Sequence, residues 1–144
     1  MGNRPPPGDN PHVRAHGFHH LAIQVKDLEA AERFYVDVLG LTVVRRWPFE
    51  DGRPGERSVW LSVGAGEEFL ALEACDAERP ATPFRDPHGG LHLAALRIQV
   101  SERRAWEQRL KRCGVEIVHA TRWTLYVRDP EGNRVGLSHF PHPA

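Results

Sequence analysis

His20 and His92 stand in two segments of this chain that repeat one another. Gly17-Phe-His-His-Leu-Ala-Ile-Gln-Val25 is echoed by Gly90-Leu-His-Leu-Ala-Ala-Leu-Arg-Ile98. An imidazole can ligate a metal, carry a proton or bind an oxyanion, so a histidine-bearing strand at the head of each of two like units is a way to furnish a cavity between them. Aligning the copies through their apolar residues sets Ala22 opposite Ala95, Ile23 opposite Leu96 and Val25 opposite Ile98. His92 then answers to His19, and Leu93 to His20. Side chains alternate across a strand, so His92 is expected on the face of Leu96 and Ile98 unless a bulge shifts the strand start. Arg97 is expected on the face of His20. There its guanidinium would either hold a carboxylate, phosphate or enolate oxygen through paired hydrogen bonds, or form an ion pair with an acid such as Glu73.

Composition narrows the partners. With 144 residues the chain suffices for one domain with a substantial core. Lys+Arg and Asp+Glu balance at 19 each, so no global field favours nucleic acid or an anionic membrane. A small molecule is the expected partner. No apolar run reaches membrane-spanning length and the first residues lack the apolar core of a signal peptide, so a cytoplasmic protein is expected. Cys75 and Cys113 form neither a disulfide framework nor a CxxC metal pair, and read as packing residues.

The elements that must position these residues follow from periodicity. Residues 1–16, rich in proline, glycine and polar residues, are expected to be a disordered leader. Strand alternation then runs over 18–25, and Asp27 stands as N-cap of a helix with Glu29 and Glu32 in its first turns. Leu28, Ala31, Tyr35, Val38 and Leu39 share its buried face, and Gly40 ends it. Strands are expected over 41–47, 57–64 and 68–75, completing a module over 17–75. Residues 76–89, with three prolines, read as a linker. A second module spans 90–140: a strand over 91–100, a helix capped by Ser101 with Trp106, Leu110 and Cys113 buried and Gly114 as its stop, then strands over 115–119, 122–128 and 134–140. Asp129-Pro-Glu-Gly-Asn133 is a turn. The fold class is α+β: two tandem βαβββ modules in a single domain over 17–140, with mixed curved sheets forming a concave cavity and helices outside.

This pattern, with His20-Leu-Ala-Ile-Gln-Val25, Phe34-Tyr-Val-Asp-Val-Leu-Gly-Leu41 and Tyr126-Val-Arg-Asp-Pro-Glu-Gly-Asn-Arg134, resembles the vicinal oxygen chelate superfamily of glyoxalase I, bleomycin-resistance proteins, fosfomycin-resistance transferases and extradiol dioxygenases. The resemblance covers residues 17–140. It implies a divalent metal on the concave face, held by a histidine from the first strand of each module and a Glu or Gln from the last, and polarising two adjacent substrate oxygens. His20 matches the first ligand and Glu73 the carboxylate of module one. In module two the matching positions are Leu93 and Gly136, neither of which can ligate. Arg134 and Ser138 should face inward with Gly136, and Thr124 and Tyr126 resemble pocket residues of the fosfomycin branch. His139 shares the parity of Leu137 and points away. Trp47, Trp60 and Trp123 would give aromatic walls, as in binding members of the superfamily, or pack the core.

Two readings stand. In the first, the metal site is degenerate, no cofactor is needed, and the chain binds a small aromatic or anionic molecule with His20, Arg97, Thr124, Tyr126, Ser138, Trp47 and Trp60. In the second, His20, Glu73 and His92 hold zinc, nickel, manganese or iron in a lyase, isomerase or dioxygenase, and Glu73 or Tyr126 moves the proton. A homodimer is expected in either case.

Overall fold

The computed structural model describes residues 13–143. Most of the expected leader lies outside the described residues, and 13–16 are exposed and irregular. Module one runs β1 (His20–Val25), α1 (Leu28–Arg33), a π-helical turn (Phe34–Val38), β2 (Thr42–Pro48), β3 (Glu56–Ser62) and β4 (Phe69–Ala74). Module two runs β5 (Ala94–Arg97), a 3₁₀ turn (Val100–Glu102), α2 (Arg103–Arg112), β6 (His119–Ala120), β7 (Thr124–Arg128) and β8 (Arg134–Ser138). Each module forms a four-stranded mixed sheet, ordered β1-β4-β3-β2 and β5-β8-β7-β6. In each, the first strand lies parallel to the last and the remaining pairs are antiparallel.

Local chemistry explains the helical arm of module one. The Asp27 carboxylate accepts from the Ala30 amide at 2.9 Å and so satisfies one of the free donors at the start of α1. The chain then widens: Leu39 N donates to Phe34 O across five residues, and Gly40 turns away at φ 79°. This wider turn buries Phe34, Tyr35 and Leu39 together. Counted from Ala31, Phe34, Tyr35 and Leu39 fall at i+3, i+4 and i+8, so Phe34 joins the buried face expected from sequence.

One continuous core joins the modules. Val25, Leu70, Leu72, Val59 and Leu61 from the first sheet cluster with Val127, Leu125, Val135 and Leu137 from the second. Polar ties lock the junction. Asp129, 4% exposed, accepts from Tyr35 Oη at 2.7 Å, from Asn133 N at 2.8 Å and from Glu131 N at 3.0 Å. Glu131 Oε1 in turn accepts from Lys26 N at 2.6 Å and Asp27 N at 3.1 Å. The Asp-Pro-Glu-Gly-Asn turn therefore clamps the last hairpin of module two to the β1–α1 corner of module one.

Three expected boundaries are corrected. Ser101 does not cap α2: it lies inside the 3₁₀ turn, where Glu102 N bonds Gln99 O, and α2 begins after Glu102 with no side-chain cap. The strand expected over 91–100 shrinks to Ala94–Arg97, because its one neighbour, β8, begins at Arg134 and gives residues 91 and 92 no partner. Of the strand expected over 115–119 only His119 lies in a strand, the short β6 that runs on to Ala120, while Val115 and Ile117 pack on the core from an irregular segment.

Candidate functional site

Strand parity divides each sheet. The helix-covered faces carry the buried core, and the opposite faces carry His20, Ala22 and Gln24 of β1 and Ala95 and Arg97 of β5, all exposed. Between β1 and β5 a cleft of about 300 Å³ opens, lined by His20, Phe69 and Leu70 on one side and Leu91, Leu93 and Leu96 on the other, and running in to Tyr35; its His20 and Phe69 walls are the near end of a larger aromatic face. His20 and Leu93 thus face one space, as their register requires.

The open face of the first sheet is an aromatic ladder. His20 is paired with Phe69, and their rings stack at 4.8 Å with 3° between planes. Phe69 stacks on Trp60 at 4.3 Å, Trp60 meets Trp47 edge-on at 5.3 Å, and the Arg45 guanidinium lies 4.2 Å over Trp47. Each strand contributes one ring to a continuous π surface. The indole N–H groups of Trp47 and Trp60 are buried there without an acceptor among the described residues, an unmade bond that costs about 1–3 kcal/mol. His20 has one ring nitrogen engaged, Nδ1 lying 2.8 Å from His19 Nδ1.

Module two carries a polar counterpart. Thr124 Oγ1 donates to Ser138 Oγ at 2.9 Å, and the Arg134 guanidinium lies 4.3 Å over Tyr126, whose ring is 5.3 Å from His119. Between these sits Gly136. A Cβ built on Gly136 would lie 3.1 Å from Thr124 Cγ2 and 3.2 Å from Leu93 Cδ1. The leucine therefore closes over the glycine, and the two module-two positions for which the resemblance implies metal ligands are filled by one apolar contact.

The other candidates are dispersed. Glu73 pairs with Gln24, four positions along β1 from His20, or about 13 Å at about 3.3 Å per residue. Its carboxylate accepts from Ser58 Oγ at 2.8 Å, with Arg57 at 3.9 Å, so the ion pair with Arg97 is not made. Arg97 is exposed at the Ser138 rung and forms no ion pair among the described residues. His92 lies neither in the cleft with His20 nor buried beside Leu96 and Ile98. It precedes β5, is exposed, and lies 3.2 Å from Arg134 Nη1 and edge-on to Phe84. Glu73 and Tyr126 stand on different sheets. His139 is buried against α2, with Nε2 3.0 Å from Arg103 Nη1, and Trp123 packs on Phe140. No group of three or more His, Cys, Asp or Glu side chains able to hold a metal occurs among the described residues. The set of His20, Glu73 and His92 does not fit the metal that the resemblance implies.

Sequence reading passed over Phe69, the ring that joins His20 to Trp60, although its parity with Glu73 was available as a signal. Phe84, Arg85 and His88 were also missed, because the segment 76–89 reads only as a connector.

Fold and face together define a two-module βαβββ protein with an open cleft where its sheets adjoin. The chain belongs to the Glyoxalase/Bleomycin resistance protein/Dioxygenase superfamily, whose family model matches residues 17–137. Curated proteins contain no sequence match. Similar solved structures include a glyoxalase/dioxygenase from Nostoc punctiforme, with TM-score 0.69, 19% identity and coverage of 93% of this chain and 100% of that one. A lactoylglutathione lyase from Agrobacterium tumefaciens has TM-score 0.63 and 24% identity over 89% and 96% of the two chains. TnmS3, an antibiotic binding protein from Streptomyces sp. CB03234, has TM-score 0.63 and 22% identity over 92% and 100%. At these identities the likeness defines the fold, which hosts both enzymes and binders.

Proposed function

We propose that this chain binds a small planar organic molecule against the aromatic ladder of its first sheet, without a metal. The observation that carries this reading is the Leu93–Gly136 contact: the module-two ligand positions hold a leucine folded over a glycine. Binding then rests on other chemistry. His20, Phe69, Trp60 and Trp47 offer a stacking platform, and aromatic pairs contribute about 0.5–1.5 kcal/mol each beyond area burial. The indole N–H groups of Trp47 and Trp60 are buried within the stack, so the platform meets a ligand through its rings. Thr124, Ser138, Tyr126 and Arg97 supply the polar groups of the second sheet, in keeping with pockets that combine apolar walls with a few placed polar atoms. The precedent in the fold is TnmS3, described as an antibiotic binding protein.

Metal analysis of the purified protein, followed by calorimetric titration with nickel, zinc, manganese and iron, tests the reading. No stoichiometric uptake is expected. One equivalent of tightly held metal, lost in His92→Ala, would instead favour a metal-dependent lyase, isomerase or dioxygenase.

A further inference from the structure

A second pocket lies at the far end of β1 from the aromatic cleft. Its volume is about 500 Å³, and it is lined by Gln24, Phe84, Arg85, His88, His92 and Arg134 with the chain around them. Two guanidinium groups and two imidazoles line this space, and among the described residues no aspartate or glutamate does. Some arginines are paired locally, as Arg46 is with Glu32 and Glu56 and Arg103 with Glu107. Arg85 and Arg134, like Arg97, form no ion pair among the described residues, but these two share a pocket with two imidazoles.

Arg134 is already oriented. Its guanidinium lies between two rings, 4.9 Å from Phe84 and 4.3 Å from Tyr126, and Nη1 is 3.2 Å from His92 Nε2. A guanidinium can only donate, so His92 Nε2 accepts and the ring proton sits on Nδ1. The remaining guanidinium donors are held in a fixed plane, the geometry that suits a two-oxygen acceptor. Arg134 is half-buried, and a partly desolvated charge interacts more strongly with an anion than a fully hydrated one.

The wall opposite is built rather than loose. Phe84 N donates to Gly132 O at 3.0 Å, and Arg128 Nη1 donates to Phe84 O at 2.7 Å and Gly132 O at 2.8 Å. Gly132 has φ 85°, and a Cβ there would come within 2.5 Å of Pro83 Cβ. The segment after β4 is thereby pressed onto the β7–β8 turn. The absence of a side chain at 132 is what lets Pro83, next to Phe84, lie against the turn.

We propose that this pocket is an oxyanion site, in which Arg134 and Arg85, with His92, His88 and the Gln24 amide, bind a carboxylate or phosphate group of a small molecule. It lies toward the other end of β1 from the aromatic cleft, with Leu91 between the two, and its anion chemistry does not depend on whether that cleft binds a planar ligand.

Calorimetry and amide NMR with inorganic phosphate, phenylphosphonate and acetate test it. Saturable binding of at least one anion is expected, with shifts at Phe84, His92 and Arg134, and the tighter of the phosphate and carboxylate arms identifies the natural group. Arg134→Gln should weaken binding at least tenfold, Arg134→Lys less so, and Arg85→Gln about threefold, while Arg104→Gln on exposed α2 should leave it unchanged. Arg85 is exposed, so its variant keeps the test sound if Arg134→Gln fails to fold. Absence of saturable binding by all three anions, or binding indifferent to both Arg85→Gln and Arg134→Gln, would overturn the proposal.

Discussion

At the scale of single residues, the decisive pair is Leu93 and Gly136. Gly136 is buried with two neighbours already within 3.3 Å of where a Cβ would stand, so Gly136→Glu alone should overpack the site and cost about 1–3 kcal/mol in denaturant unfolding. Replacing Leu93 at the same time removes the obstruction. The double variant Leu93→His, Gly136→Glu should then take up nickel or zinc with His20, read by calorimetric titration. Failure of the double variant to bind metal while remaining folded would mean that His20 is not placed for ligation. His20 supports this test because it shares the cleft with Leu93.

At the scale of elements, the ladder depends on each strand of the first sheet delivering one ring to the open face. Trp60 is central, touching both Phe69 and Trp47. Trp60→Ala should lower stability by about 3 kcal/mol or more and weaken any planar ligand at least tenfold, measured by unfolding and by binding in the same buffer. A binding loss no larger than that of a distant variant of equal stability would separate structure from recognition. Alternation of polar and apolar residues made the strands, their faces and the Leu93 register legible in the sequence, since period 2 fixes which side chains share a face. His92 was misplaced because alternation was extended past the end of the pairing partner of β5. The π-helical turn was illegible because it breaks the 3.6-residue period. Stacking across the ladder is long-range, joining residues far apart in sequence, so no local pattern announced that His20, Phe69, Trp60 and Trp47 form one surface. The anion pocket was hidden for a related reason: its wall comes from a segment without periodicity.

At the scale of the whole molecule, the modules are coupled by a small buried junction whose behaviour is pH-dependent. Burial first, and then the charge and hydrogen bond of Asp129, push the Tyr35 phenol well above its ordinary value of about 10. A phenol whose folded value is raised keeps its proton when the unfolded chain has lost it. Stability is therefore complete below about pH 10 and declines above it, by about 1.4 kcal/mol per pH unit. Tyr35→Phe should flatten that alkaline decline in urea unfolding followed across pH, at a cost of about 1.5–3 kcal/mol at neutral pH from the lost hydrogen bond to a charged group, Asp129 Oδ2 keeping only Asn133 Nδ2. An alkaline limb unchanged by the substitution would show that Tyr35 is not what couples stability to pH. With the junction intact, the two sheets hold the cleft as one body, and the claim on which the account rests is that this cleft recognises its ligand by stacking and not through a metal. Titration of tryptophan fluorescence with a panel of planar aromatic acids, run with and without a strong chelator, tests it most directly. Saturable quenching by at least one compound is expected, with the same affinity in both buffers. Binding abolished by the chelator and restored by one equivalent of metal would contradict it.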